Sequence, residues 1–406
     1  MYIKRILEKI IQETSQSFPV LLLTGPRQVG KTTLLEHTEK TSRSYITLDD
    51  INLRHAAQAD PETFLNRLSL PVLIDEVQYA PKLFPYIKIL VDKLKQPGLI
   101  WLTGSQQFDM MKNVSESLAG RVALLKLQGL SLAEEQHRLT ASPFLPDPDT
   151  LATRAKTAKP LTLSQAYHCI WRGSYPHVVL DNGKTWERFY ESYVTTYIQR
   201  DVHDYLKLKD QAPFYRFMQI IASRTGQMLN YADLSKDVGV SIPSIKSWVD
   251  ALQASGLIYL LQPYFSNHNK RLIKTPKLYF MDTGLCCYLS GWLNPDVLER
   301  GAMNGSILET YVVTEIIKSY FNAGKSPRLF YYRDKEKREI DLLIERNGSL
   351  YPIEIKKTAA TRNIDLKTFE RLNSLKMPIA HGAVLCLTQS LLPLSESIDA
   401  VPIGYI

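Results

Sequence analysis

The sequence has few cysteines and no long apolar run. Its 406 residues include four cysteines, Cys169, Cys286, Cys287 and Cys386, which are too few and too scattered for a disulfide framework. No cysteine or histidine spacing resembles a zinc site. No apolar run approaches the ~20 residues that span a bilayer, and the amino terminus lacks a signal-peptide core. We therefore expect a cytoplasmic protein with reduced thiols and no membrane contact.

An excess of acidic residues is also absent. The chain has 49 lysines and arginines against 41 aspartates and glutamates, a formal charge of +8. This charge is spread along the chain, so it is weak evidence for a nucleic-acid partner. Positive charge is more concentrated in residues 268–277, which carry Lys270, Arg271, Lys274 and Lys277 and no acidic residue. A phosphate-binding hairpin and a solvated hairpin both account for that segment.

A glycine-rich loop follows a predicted buried strand at residues 18–24 and precedes a predicted helix at residues 31–40. Such a loop points successive N–H groups at phosphate oxygens, and the helix adds its positive amino end. We expect Lys31 to reach the β- and γ-phosphates of ATP, and Thr32 to offer its hydroxyl to Mg²⁺. The predicted nucleotide-binding residues are Gly25, Pro26, Arg27, Gln28, Val29, Gly30, Lys31, Thr32 and Thr33.

An acidic pair ends the next apolar run. Residues 70–74 predict a parallel strand that would place Asp75 and Glu76 beside the phosphates. Asp75 would hold the metal through its water shell. Glu76 would orient and deprotonate the attacking water, which favours hydrolysis over transfer to a second substrate. The alternative is an acidic pair that only ends a strand.

Two further residues are candidates for the same site. Ser105 follows the predicted strand at residues 99–103 and would sense the γ-phosphate. Arg121 precedes the apolar segment 122–127, where a guanidinium would neutralise charge that develops during phosphoryl transfer. The pattern leaves open whether Arg121 serves its own nucleotide or that of a neighbour, or is a solvated arginine at a strand edge.

The rest of the chain divides into three regions after an ATPase core at residues 1–140. Residues 141–210 combine a proline-punctuated linker with helical segments. Residues 211–285 have the helix and hairpin order of a winged helix, although the third helix exposes a single cation, so a packing role is as consistent as DNA binding. Residues 300–406 form a third α/β region.

The last region carries a second group of chemical residues. Asp341 lies on one strand of a predicted hairpin, and Glu354 and Lys356 share a face of the other. Two carboxylates that converge with a lysine are typical of a nuclease that binds Mg²⁺. A predicted helix would deliver Glu309 as a further metal ligand. The alternative is the same fold with charges that no longer cleave a substrate.

The whole chain resembles prokaryotic AAA+ superfamily ATPases that carry a C-terminal domain combining a winged helix with a restriction-endonuclease-like fold. The resemblance lies in residues 25–33, 48–50, 73–78, 103–106, 117–121, 197–202, 281–284 and 332–356. It implies Walker A and Walker B motifs with ATP at Lys31, Thr32, Asp75 and Glu76, Ser105 as sensor and Arg121 as a finger. It implies no particular substrate.

These observations predict an α/β protein with a P-loop NTPase sheet, a helical and winged-helix region and a nuclease-like α/β domain. Two functions fit them. In the first, ATP hydrolysis controls DNA binding or cleavage by the C-terminal domains. In the second, the protein is a nucleotide-dependent switch that binds a protein partner or a second copy of itself, with an inactive nuclease-like domain.

Overall fold

A computed structural model gives the fold of the chain. It describes residues 2–39, 42–104, 114, 116–196, 211–265, 275–334, 336, 338–362, 364–370, 372 and 375–406. The predicted residues Ser105, Lys270, Arg271 and Lys274 and the segment 197–202 lie outside the described residues.

The first region alternates helices and strands. Its helices are α1 Leu7–Ser15, α2 Lys31–Thr38, α3 Ile51–Ala59, α4 Pro61–Asn66 and α5 Leu83–Leu94. Its strands are β1 Val20–Thr24, β2 Ser44–Thr47, β3 Val72–Asp75, β4 Ile100–Gly104 and β5 Val122–Lys126, with a 3₁₀ turn at Val77–Tyr79. The predicted strands before the loop, before the acidic pair and before Ser105 are therefore present, as is the helix after the loop.

These five strands form one parallel sheet in the order β2-β3-β4-β1-β5. Successive residues of β1 face opposite sides, because Val20 and Leu22 lie in one apolar core and Leu21 and Leu23 in another. A parallel sheet covered on both faces needs such uniformly apolar strands. The carboxyl ends of β1, β3 and β4 consequently meet at one edge of the sheet.

Five helices follow β5 in the described part of the next region. They are α6 Leu132–Glu135, α7 Pro148–Ala155, α8 Leu163–Arg172, α9 Pro176–Leu180 and α10 Trp186–Ser192. The stretch predicted as a linker is not wholly irregular, because α7 lies within it. The Asp147 carboxylate accepts a hydrogen bond from the Thr150 N–H, and Pro148 occupies the first turn, which together start a helix.

The predicted winged-helix segment contains its three helices and its hairpin. The elements are α11 Ala212–Ser223, β6 Gln227–Met228, α12 Tyr231–Val238, α13 Ile242–Ala254, β7 Ile258–Pro263 and β8 Lys277–Phe280. Trp248 packs against Phe214 and Phe217 with ring centroids 5.2 and 5.3 Å apart, so aromatic contacts hold α13 on α11.

The strands of the last region extend the sheet of the β7–β8 hairpin and do not form a separate sheet. This region contains α14 Thr283–Leu289, α15 Pro295–Arg300, α16 Asn304–Asn322, β9 Leu329–Arg333, β10 Glu339–Arg346, β11 Ser349–Ile355, α17 Lys367–Glu370, β12 Gly382–Cys386, β13 Leu392–Ser395 and β14 Ile398–Pro402, followed by a 3₁₀ turn at Ile403–Tyr405. The sheet order is β13-β14-β12-β11-β10-β9-β7-β8-β6. One nine-stranded sheet therefore crosses the boundary predicted between residues 285 and 300.

Helices long and apolar enough to cross a bilayer are absent from the described residues.

Candidate functional site

Two glycines shape the loop between β1 and α2. Gly25 has a φ of +152°, and a Cβ there would lie 2.0 Å from the carbonyl oxygen of Leu127. Gly30 begins α2 with a φ of +87°, and a Cβ there would meet no atom within 4 Å. Because glycine alone adopts both conformations without strain or clash, the chain turns sharply around an open space at the amino end of α2. That position is suited to a phosphate group.

Lys31 is the first residue of α2, and its ammonium group is buried in the loop. Its Nζ donates to the carbonyl oxygens of Gly25 at 3.0 Å and of Pro26 at 2.9 Å. Burial lowers the pKa of Lys31 to about 8, although the charges of Glu76 and Asp75 counteract that shift. A buried ammonium group whose hydrogen-bond partners are mainly neutral carbonyls is stabilised when an anion such as phosphate binds beside it.

Asp75 ends β3 and accepts hydrogen bonds from three hydroxyl groups. Thr32 Oγ1 lies 3.1 Å from each carboxylate oxygen, Tyr45 donates at 3.1 Å, and Thr103 at the end of β4 is the third donor. Burial and the Asp75 charge raise the pKa of Tyr45 to about 12. A threonine hydroxyl beside a carboxylate, next to a phosphate-binding loop, supplies the oxygen donors that Mg²⁺ prefers. The residues present therefore fit Mg²⁺.

Glu76 follows β3 in a left-handed conformation with a φ of +54°. This conformation costs a residue with a side chain about 1 kcal/mol, so surrounding contacts must fix it. The Glu76 N–H donates to Thr103 Oγ1 at 3.2 Å, and its carboxylate accepts from Gln78. Glu76 follows β3 directly, so it lies at the same carboxyl edge of the sheet as the loop, and its charge raises the pKa of Lys31.

Arg121 lies at the opposite edge of the sheet. It precedes β5, which runs parallel to β1, and its carbonyl oxygen accepts from the N–H of Val20 at 3.2 Å. The loop follows the other end of β1, and five residues of strand span roughly 16 Å. The guanidinium instead binds both oxygens of Asp92, at 2.6 and 2.9 Å. The structure therefore places Arg121 away from the nucleotide loop of its own chain, and its role as a finger stays a prediction.

Sequence reasoning missed two hydroxyl groups of the site. Ser105 is the predicted polar group at the end of β4, but the described residue that bonds Asp75 is Thr103, two positions earlier. The sequence feature that points to Thr103 is a polar residue near the end of a buried strand. Tyr45 gave no signal, because its place beside Asp75 depends on the pairing of β2 with β3.

Sequence reasoning also missed a buried arginine that supports the loop. Arg5 is 4% exposed and donates to the carbonyl oxygen of Val29 at 3.1 Å, to that of Gln128 at 2.8 Å and to Glu134 Oε1 at 2.9 Å. Burial by itself would raise the pKa of Glu134, but Arg5 and the N–H groups of Ser131 and Ile6 hold that pKa below its usual value. Arg5 therefore joins the loop to the segment after β5.

A cavity of about 190 Å³ opens beside the loop. Its walls come from four parts of the chain: the amino-terminal segment, the loop with the start of α2, the segment after β5, and α9. The lining residues are Tyr2, Ile3, Arg5, Val29, Gly30, Thr33, Leu130, Pro176 and Leu180. The mostly apolar walls next to the phosphate position are suited to a flat heterocyclic base.

The predicted C-terminal group of residues also comes together. Asp341 Oδ2 accepts from the N–H of Ile355 at 2.8 Å, and Lys356 Nζ lies 2.7 Å from Glu354 Oε2. Burial and the charges of Glu354 and Glu309 raise the pKa of Asp341, so the three carboxyl groups lie close enough to interact. The structure thus brings Glu309, Asp341, Glu354 and Lys356 to one location.

These carboxylates do not form a metal site in this arrangement. Among the residues that the structure describes, no three histidine, cysteine, aspartate or glutamate side chains are positioned to hold a metal ion. Glu309 accepts from Lys277 at 2.9 Å and from Tyr279 at 2.6 Å instead. The prediction of metal ligation by Glu309, Asp341 and Glu354 is therefore not met by the geometry.

The parallel five-stranded sheet and its glycine loop define a P-loop NTPase fold, followed by an α/β domain with a mixed sheet. Family models match three segments: residues 17–135 match an AAA domain, residues 164–296 a domain of unknown function (DUF8612) and residues 304–406 a domain of unknown function (DUF4143).

The chain is similar to two mycobacterial proteins over almost its whole length. It is 32% identical over 394 residues to the uncharacterized protein Rv2008c of Mycobacterium tuberculosis, a match that covers 96% of this chain and 81% of the relative. The values for the uncharacterized protein Mb2031c of Mycobacterium bovis are the same. The chain therefore belongs to the family of these two proteins, and its own segments match an AAA domain and a C-terminal DUF4143 domain.

Matches among solved structures include the Walker-type ATPase PABY2304 of Pyrococcus abyssi. It is 14% identical with a TM-score of 0.43, and the match covers 71% of this chain and 96% of that one. The RuvB Holliday junction branch migration motor of Thermotoga maritima is 14% identical with a TM-score of 0.28, over 62% of this chain and 88% of that one.

Proposed function

We propose that this protein binds ATP and hydrolyses it, and that its nucleotide state controls the C-terminal domains. One observation carries the proposal: Lys31, Thr32, Asp75 and Glu76 surround one glycine loop at the carboxyl edge of a parallel sheet. Positioned charges of this kind are the main requirement of phosphoryl transfer.

Each residue has a role in this proposal. The loop N–H groups bind the phosphates, and the Lys31 ammonium turns from the carbonyls of Gly25 and Pro26 to the β- and γ-phosphate oxygens. Thr32 and Asp75 would hold Mg²⁺, which neutralises phosphate charge when it is bound. The Glu76 carboxylate accepts a proton from the attacking water.

The cavity beside the loop supports ATP over a bare phosphate donor. Its walls adjoin Gly30 and Thr33, so a base there would be continuous with phosphates on the loop. We propose that Tyr2, Ile3, Pro176 and Leu180 contact the adenine. The adenine site would then combine residues of the amino-terminal segment with residues of α9, which lie more than a hundred positions apart in the chain. Bound nucleotide would therefore hold these two segments together.

Substitution Lys31→Ala tests the proposal. It should weaken ATP binding by roughly 10- to 100-fold, because a hydrogen-bonded charge is worth about 1.5–3 kcal/mol. Titration with a fluorescent ATP analogue measures the change, with Lys93→Ala, at an exposed position of α5, as the control of equal charge. Equal affinity in the wild type and Lys31→Ala would contradict ATP binding at this loop.

ATP affinity should also depend on pH. The pKa of Lys31 is about 8 without nucleotide, and phosphate binding raises it. Affinity should therefore be constant below pH 8 and fall as pH rises above 8, because the neutral amine attracts phosphate less. Calorimetry in buffers of different ionisation enthalpy should show proton uptake on binding at pH 9. The Lys31→Arg variant should show neither effect, since a guanidinium stays charged; a flat profile in the wild type would contradict the role of Lys31.

Polar contacts connect the loop side of the ATPase core with α16. The Leu132 N–H donates to Glu315 Oε2 at 2.8 Å, and Lys318 Nζ donates to the carbonyl oxygen of Leu130 at 3.1 Å. Asn322 donates to Ser131 Oγ at 3.2 Å. This segment also holds Glu134, the partner of Arg5. A shift of the loop on nucleotide binding would thus reach the C-terminal domain through directly bonded groups.

Of the two predicted functions, the contacts favour the switch. In the C-terminal domain Glu309 binds Lys277, Asp341 binds the Ile355 N–H and one oxygen of Glu354 binds Lys356. By contrast, α16 is bonded to the ATPase core. DNA, a protein partner and a second copy of the chain stay predictions as targets of that switch. The basic segment that suggested DNA lies largely outside the described residues.

A further inference from the structure

A buried lysine lies inside the C-terminal group of carboxylates. Lys277 begins β8, its side chain is 5% exposed, and its Nζ lies 2.9 Å from Glu309 Oε1. The same ammonium forms an ion pair with Glu339 on β10. Burial would lower the pKa of Lys277, but Glu309 and Glu339 raise it above its ordinary value. Lys277 is therefore a fixed positive charge between two carboxylates.

Two further carboxylates, those of Asp341 and Glu354, lie close enough to this ion pair to interact with its charges. We call Glu309, Glu339, Asp341 and Glu354 the acidic cluster. Glu354 is 4% exposed, and its Oε1 is buried with no hydrogen-bond partner among the described residues. Its other oxygen binds Lys356. An unpaired buried carboxylate oxygen is costly, so Glu354 leaves an unmet hydrogen-bond acceptor inside the cluster.

A lysine and a divalent metal ion satisfy such a cluster differently. Mg²⁺ needs about six oxygens at roughly 2.1 Å in octahedral order, whereas an ammonium group accepts looser positions near 2.9 Å. Lys277 meets Glu309 at the second distance, and Tyr279 occupies the same oxygen at 2.6 Å. The protein thus provides its own cation at the position where a metal would be expected.

We propose that Lys277 takes the place of a divalent metal ion in the acidic cluster, so that this domain excludes Mg²⁺ while β8 is in position. The ion pairs of Lys277 also attach the β7–β8 hairpin to α16 and β10. Removal of the Lys277 charge would leave Glu309 and Glu339 without their shared cation, so we expect the cluster to rearrange around a divalent cation. This inference does not depend on ATP hydrolysis.

Binding of Mn²⁺ in the absence of nucleotide tests the inference. Electron paramagnetic resonance of free Mn²⁺ should show the same binding in the wild type and in Asp341→Asn. Lys277→Met should gain one site at least tenfold tighter than any in the wild type, and Lys277→Met with Asp341→Asn should lose it. Lys277→Arg keeps the positive charge and should gain no site. Mn²⁺ should raise the melting temperature of Lys277→Met alone.

Three results would overturn the inference. The first is Mn²⁺ binding to the wild type that disappears in Asp341→Asn. The second is a folded Lys277→Met that gains no site. The third is Mg²⁺-dependent DNA cleavage by the wild type that is lost in Asp341→Ala but retained in Lys31→Ala. If Lys277→Met does not fold, the comparison of Mn²⁺ binding by the wild type and by Asp341→Asn still tests the inference. Neither result changes the ATP-binding measurements that test the proposed function.

Discussion

Substitution Glu76→Gln should lower the kcat of ATP hydrolysis by about 10²- to 10⁴-fold while the Kd for ATP changes less than about threefold. Glutamine retains the shape of the side chain and keeps an oxygen for the contact with Gln78, but it does not accept the proton of the attacking water. Steady-state phosphate release and nucleotide titration on the same preparation measure the two quantities.

A matched control separates this effect from a general loss of charge. Glu62 lies exposed on α4, outside the loop and the strand ends that form the site, so Glu62→Gln removes the same charge elsewhere in the ATPase core. It should hydrolyse ATP at the wild-type rate. Equal rates in the wild type and Glu76→Gln would remove Glu76 as the base.

Substitution Arg5→Met should destabilise the ATPase core by about 3–5 kcal/mol at pH 7.5, because it leaves the fully buried Glu134 carboxylate without its cation. The loop should also bind ATP more weakly, since the Val29 carbonyl loses its donor. Urea unfolding measures the first effect and nucleotide titration the second. The double variant Arg5→Met with Glu134→Gln should regain at least half of the lost stability.

The loss in Arg5→Met should shrink as pH falls. In the wild type the pKa of Glu134 is lowered, so its stabilising contribution is complete above the unfolded value of roughly 4.3 and is lost as pH falls through the folded value. Without Arg5, burial raises that pKa, and protonation relieves the buried charge at mildly acidic pH. Arg121→Met breaks an exposed pair with Asp92 and should have a much smaller effect. Equal losses in both variants would contradict the structural importance of Arg5.

The sequence was most informative where chemistry and local conformation coincide. The loop around Gly25 and Gly30 has a fixed spacing because its backbone must wrap a phosphate, and Lys31 and Thr32 follow directly. Asp75 and Glu76 were equally readable, since an acidic pair at the end of an apolar strand falls at the carboxyl edge of any parallel sheet. The structure brings all four residues to that edge.

Residues that act across the fold were harder to predict. Arg121 has the sequence position of a site residue, but the direction and register of β5 place it at the far edge. Tyr45 and Arg5 reach the site through strand pairing and packing that no short pattern encodes. The same holds for Lys277, which sequence reasoning counted as part of a basic hairpin.

The sequence by itself thus determined the P-loop NTPase fold, the nucleotide loop and the acidic pair, because these depend on short segments whose spacing is set by phosphate chemistry. It also predicted that Glu309, Asp341, Glu354 and Lys356 converge. Only the tertiary structure decided which edge holds Arg121, which groups support the loop and which cation neutralises the acidic cluster. The physical reason is that burial and charge pairing join residues far apart in the chain, and the energy of such a pair depends on distances that spacing does not fix.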